Sequence, residues 1–165
     1  FDNGCVKCWG QAVYGEIGLQ TTSSRGAGAN EMGDNLPIVA LGSGRTAKAV
    51  WGGSAGRSYC ALLDDNSTKC WGSNSDGQLG LDDTTNRGDD IGEMGDALSP
   101  VSVGTGRYPV QRSISATHAC AVLDNGTGKC WGNGLFGQLG SESATRLGDQ
   151  GGEMGAALPT VNAGF

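Results

Sequence analysis

With 165 residues, 31 glycines and only 17% charged residues, the chain has the length of one domain and too much glycine for long helices. A net charge of −6 and a pI near 4.6 exclude the basic footprint that nucleic-acid binding requires. No segment reaches the roughly 18 consecutive apolar residues of a membrane-spanning helix. Glycine at this density, without a collagen period, predicts many tight turns between short strands.

Taken in chain order, the elements repeat. The chain begins at Phe1 without an initiator Met, which predicts a piece of a longer protein. Phe1-Asp2-Asn3-Gly4 aligns with Leu123-Asp124-Asn125-Gly126, so the chain is expected to start inside a hairpin. Cys8-Trp9-Gly10 follows, then Gly15-Glu16-Ile17-Gly18, Glu31-Met32-Gly33 and Leu36-Pro37-Ile38-Val39. The same four blocks return as Cys70-Trp71-Gly72, Gly77-Gln78-Leu79-Gly80, Glu93-Met94-Gly95 and Leu98-Ser99-Pro100-Val101. They return again as Cys130-Trp131-Gly132, Gly137-Gln138-Leu139-Gly140, Glu153-Met154-Gly155 and Leu158-Pro159-Thr160-Val161. The Cys-Trp-Gly blocks are spaced by 62 and then 60 residues, and the Glu-Met-Gly blocks by the same intervals. Four blocks in one order at one period define a tandem repeat.

Within each unit, short apolar runs such as Ala61-Leu62-Leu63 and Ala121-Val122-Leu123 read as strands entering a turn. The turns are Asp64-Asp65-Asn66-Ser67 and Asp124-Asn125-Gly126, the second with the Asn-Gly signal of a hairpin. Lys69-Cys70-Trp71 and Lys129-Cys130-Trp131 are the return strands. A long loop then leads to Glu-Met-Gly and to a further strand at the Leu-Pro-Val block.

The run from Cys120 to Gly126, followed by Cys130-Trp131-Gly132-Asn133 and Gly137-Gln138-Leu139-Gly140, resembles the regulator of chromosome condensation repeat family, and Cys60 to Gly80 matches it nearly as well. The resemblance covers essentially the whole chain. It implies an all-β fold, a β-propeller of tandem four-stranded blades that closes with about seven of them. Residues 1–165 then form one repeat region of under three blades, with periods beginning near residues 8, 70 and 130, truncated at both ends and incomplete as a ring.

The six cysteines set the expected compartment. Cys60/Cys70 and Cys120/Cys130 hold equivalent positions either side of a turn, so each pair is expected on facing strands and bonded as a disulfide. The rival reading is two reduced structural thiols per blade. Zinc fits less well, because CxxC pairs are absent and His118 is the only histidine. Cys8 matches Cys70 and Cys130, and is expected to bond a Cys upstream of Phe1. Cys5 stands where Ser67 and Thr127 stand, and is read as a thiol or as a bond to another segment or chain. Asn66-Ser67-Thr68 and Asn125-Gly126-Thr127 are N-glycosylation sequons at a hairpin tip, although Asn and Ser/Thr also simply suit turns. Paired cysteines and sequons together point to the secretory pathway and an extracellular or cell-surface location.

Other residues are weighed by whether they recur. Trp9, Trp71 and Trp131 recur beside a structural Cys and are read as blade packing. Two roles fit Glu31, Glu93 and Glu153: capping loops by accepting backbone amides, or binding a cation such as calcium, for which no established loop pattern is present. No other cofactor is expected. Arg87-Gly88-Asp89 aligns with Arg25-Gly26-Ala27 and Leu147-Gly148-Asp149, so it reads as drift in a repeat loop. Trp51 and Tyr59 lack aromatic counterparts in the next repeat and are the first candidates for contact with another protein. No catalytic constellation assembles. The leading expectation is a non-enzymatic structural or adhesive scaffold whose partners are other subunits or further blades, with N-glycans. The alternatives are a secreted propeller that binds and inhibits or recognises another protein, and an exchange-factor-like regulator of a small GTPase.

Overall fold

The computed structural model describes residues 3–53, 57–162 and 164. The expected alignment of Phe1 and Asp2 with the later hairpins lies outside these residues. The described chain is almost entirely β-structure and turns. Strand β1 (Ala47–Gly52) pairs with β2 (Ser58–Leu63), and β2 with β3 (Thr68–Gly72), in one antiparallel sheet. Sixty residues on, β4 (Pro109–Ile114), β5 (His118–Leu123) and β6 (Gly128–Gly132) build a second sheet in the same order. The copies agree in detail: the β1/β2 register slips between Ala47 and Ala49, and the β4/β5 register between Pro109 and Gln111. A short 3-10 turn follows the first two Glu-Met pairs, at Gly33–Asn35 and at Gly95–Ala97, and a plain turn follows the third.

The expected fourth strand of each blade is a looser element. The Leu-Pro-Val block runs extended beside the third strand but joins it through a single backbone bond. Val39 N–H reaches Val6 O (2.8 Å), Val101 N–H reaches Thr68 O (2.7 Å), and Val161 N–H reaches Gly128 O (2.8 Å). Proline inside the block has no N–H to give a ladder, so the segment docks at the edge without extending it.

Both hairpins turn the same way. Asn66 and Gly126 hold the left-handed position, with φ of 68° and 83°, and each donates its amide to the carbonyl three residues back, Leu63 and Leu123. Asn and Gly are the residues that tolerate this backbone. The ladder bond from Leu63 N–H to Ser67 O fixes the alternation of the β2/β3 pair. Cys60 and Cys70 therefore face each other at a non-hydrogen-bonded position, where side chains approach most closely.

The core lies between repeats. One apolar cluster joins Val6, Val39 and Leu41 of the first repeat to Ala61, Leu63, Trp71, Met94 and Leu98 of the second. The other joins Cys60, Cys70, Leu79 and Val101 of the second to Ala119, Leu123, Trp131 and Leu158 of the third. Each repeat contributes half of a core that its neighbour completes, as in other stacked-repeat folds.

Candidate interaction surface

The sequence singled out cysteines, sequons and aromatics, and the fold distributes them over the joints between repeats, the hairpin tips and the surface clefts. Cys60–Cys70 and Cys120–Cys130 are both disulfides, with Cα atoms 4.0 and 4.1 Å apart. The first is sealed: both cysteines are buried against the third repeat, and the Arg112 guanidinium of β4 donates to Cys70 Sγ at 2.9 Å. The same guanidinium sits 5.1 Å from the centre of the Trp131 ring. Its Nε and Nη2 are buried without a partner among the described residues, and desolvation pulls against its charge. The second disulfide borders an open, largely apolar groove of about 300 Å³ that also includes Val122, Gly128 and Val161.

Cys8 stands outside both disulfides. It is partly buried, and burial pushes its thiol up to about 11, so it stays protonated at neutral pH. Cys5 is also partly buried, and its backbone N–H is held by Asn3 Oδ1 at 3.0 Å.

The two sequon asparagines lie on exposed hairpin tips but one step apart in the turn. Asn66 occupies the left-handed corner and accepts from Lys48 Nζ at 2.8 Å. Asn125 precedes the corner glycine, and its Oδ1 accepts from Thr127 Oγ1 at 2.8 Å. Tyr59 stacks on Trp71 with ring centres 6.4 Å apart, and Trp51 packs against the core shared by the second and third repeats. Both are only partly exposed. Tyr59 nevertheless borders a cleft of about 350 Å³ with Cys8, Trp9, Glu16 and Arg57.

The acidic loops are occupied by the chain's own backbone. Glu93 Oε2 accepts the amides of Gly88, Asp89 and Asp90 at 2.9, 3.2 and 3.0 Å. Glu153 does the same for Gly148, Asp149 and Gln150, and Glu31 for Gly26 and Gly28. These bonds hold the Glu31 carboxyl below its ordinary range, the Gly28 amide contributing most. The Arg87 side chain is engaged by Asp83 and by the carbonyls of Thr85 and Asn86, which leaves the Arg-Gly-Asp triplet folded into its own loop. His118 Nδ1 shares a hydrogen bond with Ser115 Oγ at 2.7 Å.

Two recurring devices were not singled out from the sequence. Lys7, Lys69 and Lys129 each send Nζ across the blade to the carbonyl of the Met-Gly glycine, at 2.7, 2.7 and 2.8 Å. Gln20 and Asp82, two residues past the Gly-x-x-Gly blocks, accept backbone amides from the following repeat. Lysine before every Cys-Trp was visible in the sequence. The Gln/Asp position changes residue type from repeat to repeat, which hid it.

Comparison with known proteins places this architecture. No family model matches the chain. The ultraviolet-B receptor UVR8 of Arabidopsis thaliana is 30% identical over 138 residues, which is 82% of this chain and 27% of the receptor. Among solved structures, human WBSCR16 superposes with a TM-score of 0.57 at 21% identity over 84% of this chain and 31% of its own. Prp20p of Saccharomyces cerevisiae, described with its binding to Gsp1p and histones, gives 0.56 at 15% identity over 93% of this chain and 33% of its own. The yeast protein bound to Kap60 gives 0.52 at 17% identity. The chain thus spans about a third or less of the proteins it matches.

Proposed function

The chain belongs to the regulator of chromosome condensation repeat family, and on that premise we propose that it serves as a non-enzymatic protein-interaction scaffold in an oxidising, extracellular or cell-surface setting. The observation that carries this reading is the pair of disulfides at equivalent positions of successive repeats. Disulfides persist where glutathione does not reduce them, and they suit neither nucleus nor cytosol. The non-enzymatic reading is supported by how these polar groups are spent among the described residues: His118 on Ser115, and Glu93 and Glu153 on backbone amides. Residues 1–165 are read as one repeat region within a larger ring, whose remaining blades come from further repeats.

Glycans at Asn66 and Asn125 belong to the same reading, since both side chains stand on exposed hairpin tips. A second reading is recognition of another protein through the cleft beside Tyr59 and Trp9, because it combines exposed indole surface with Arg57 and Lys7. Binding of partners such as Gsp1p or histones, as described for Prp20p, fits less well with a disulfide-bonded chain.

Intact-mass analysis and non-reducing peptide mapping of the natural protein test the proposal. Bonded Cys60–Cys70 and Cys120–Cys130 with a glycan on Asn66 or Asn125 is the expected result. Reduced cysteines and bare asparagines would overturn the extracellular reading and favour an intracellular regulator.

A further inference from the structure

The hairpin tips of the first two repeats meet the next repeat in different ways, and the difference falls on a sequon. At the first joint, Ala47 N–H donates to Gly4 O at 2.9 Å. Gly4 lies so close to this segment that an added Cβ would fall 2.6 Å from Thr46 Cβ. The tip is shut against its neighbour, and glycine is what allows it. At the second joint Asn66 holds the place of Gly4, Tyr108 that of Thr46 and Pro109 that of Ala47. Proline has no N–H to donate, and a side chain replaces the glycine hydrogen, so the same closure cannot form.

The second joint holds instead a groove of about 500 Å³, within the ~300–1,000 Å³ range of small-ligand sites. Its walls lie within residues 65–109, so neither end of the chain borders it. Asn66 and Thr68 come from the hairpin, and Ser102, Tyr108 and Pro109 from the segment that enters β4. Thr68 is 1% exposed, and its Oγ1 has no hydrogen-bond partner among the described residues. Val6 and Gly128 hold the same position in the other repeats and carry no hydroxyl. A buried hydroxyl without a partner is unfavourable, which favours a polar occupant over an apolar one. Lys48 Nζ donates to Asn66 Oδ1 at 2.8 Å, and Val110 stands in the place of Lys48 at the next repeat. That bond fixes the Asn66 amide and leaves Nδ2, the atom to which a sequon attaches its sugar, unbonded among the described residues.

We infer that this groove seats the first sugars of an N-glycan carried by Asn66 itself. The attachment point selects the occupant: the asparagine is part of the groove wall, so its sugar arrives tethered and at high effective concentration. A sugar ring is apolar on its C–H face and polar at its edge. Tyr108 and Pro109 offer an apolar wall to the first, and the hydroxyls of Thr68 and Ser102 suit the second. Attachment forms one bond, from Asn66 Nδ2 to the anomeric carbon of the innermost N-acetylhexosamine. Nδ2 gives up a proton, and the pyrophosphate of the lipid-linked donor leaves with the electron pair. The seated glycan then bridges the second and third repeats, where the Ala47–Gly4 bond bridges the first and second. The inference rests on the extracellular reading, because it needs a chain that meets the glycosylation machinery.

Nuclear Overhauser contacts in the natural glycoprotein test the seat, and the Tyr108 ring should show them to the acetyl methyl of the Asn66-linked sugar. Under native conditions, a glycan-releasing amidase should free the Asn66 glycan about tenfold more slowly from the natural protein than from Tyr108→Ala. The two rates should become equal once both proteins are denatured. Near-ultraviolet circular dichroism reads whether Tyr108→Ala keeps its packing. Should it lose it, Ser102→Trp, which fills the groove from an exposed position, takes its place. An Asn66 glycan without Tyr108 contacts, released equally fast from both proteins, would overturn the seat and leave the extracellular reading standing. A bare Asn66 beside bonded cysteines would do the same, whatever Asn125 carries. Bare asparagines with reduced cysteines would overturn both.

Discussion

Trp9 and Trp131 sit in the same tripeptide and follow the same lysine-cysteine pair, yet one is 61% exposed and the other has no exposed surface. Trp131 packs against the preceding repeat, whereas no preceding repeat stands beside Trp9 among the described residues. Whether a residue counts as core depends on the neighbouring repeat and not on its own sequence, as expected when each repeat contacts only the next.

The comparison can be broken most sharply at the indoles. Trp131→Ala should cost about 3–5 kcal/mol in urea denaturation, because it opens a cavity and orphans Gln78 O, whereas Trp9→Ala in the dilute chain should change stability by less than about 0.5 kcal/mol. Equal costs would mean that the joint is not where the core lies.

The disulfides give the next contrast. Replacing either pair by alanine should cost about 2–4 kcal/mol, through the freedom returned to the unfolded chain. Their chemistry should differ more than their energetics. Under limiting reductant followed by alkylation and mass spectrometry, Cys120–Cys130 on the open groove should reduce well before the sealed Cys60–Cys70. The reverse order would contradict the burial described.

The acceptor position sharpens the comparison further. Asp82→Ala leaves the amides of Gly152, Glu153 and Met154 without their carboxylate and should cost about 1–3 kcal/mol, while Glu142→Ala in the monomer should cost almost nothing.

The smallest effect separates the two joints by pH. Asp96 reaches back across the first joint, where the Ser43 hydroxyl and amide hold its carboxyl below the ordinary 3.8, and Ala156 stands in its place at the second. A depressed carboxylate stabilises the folded state above its unfolded value, and that contribution is lost as pH falls through the folded value. Asp96→Asn should therefore lower stability at neutral pH, where the contribution is fully present, and flatten the further fall in stability below about pH 4. Thermal melts at stepped pH measure this, and an unchanged acid limb would show the Ser43 contact to be idle.

Much of this was legible before any coordinates. The period, the hairpins and the facing cysteines are local patterns, and the buried Trp71 and Trp131 follow from their recurrence beside Cys. The loop role of Glu93 and Glu153 was one of two readings open to the sequence. What stayed hidden is long-range or chemically variable. Lys69 finds Gly95 O 26 residues away, a pairing no local pattern announces. Gln20, Asp82 and Glu142 share a backbone conformation and an acceptor oxygen, but no residue type. The fourth strand read from Leu-Pro-Val proves to be an extended segment on one bond, because proline withholds the donor a ladder needs. Asn66 and Asn125 look equivalent as sequons, yet occupy successive positions of the turn.

Hydrogen exchange of the indole N–H groups, followed by NMR in the dilute chain, addresses the central point directly. Trp71 and Trp131, which donate to Glu16 O and Gln78 O, should be strongly protected, and the exposed Trp9 of this chain should exchange like an indole in water. Equal protection of all three, or none at Trp71 and Trp131, would contradict a core that is built between repeats.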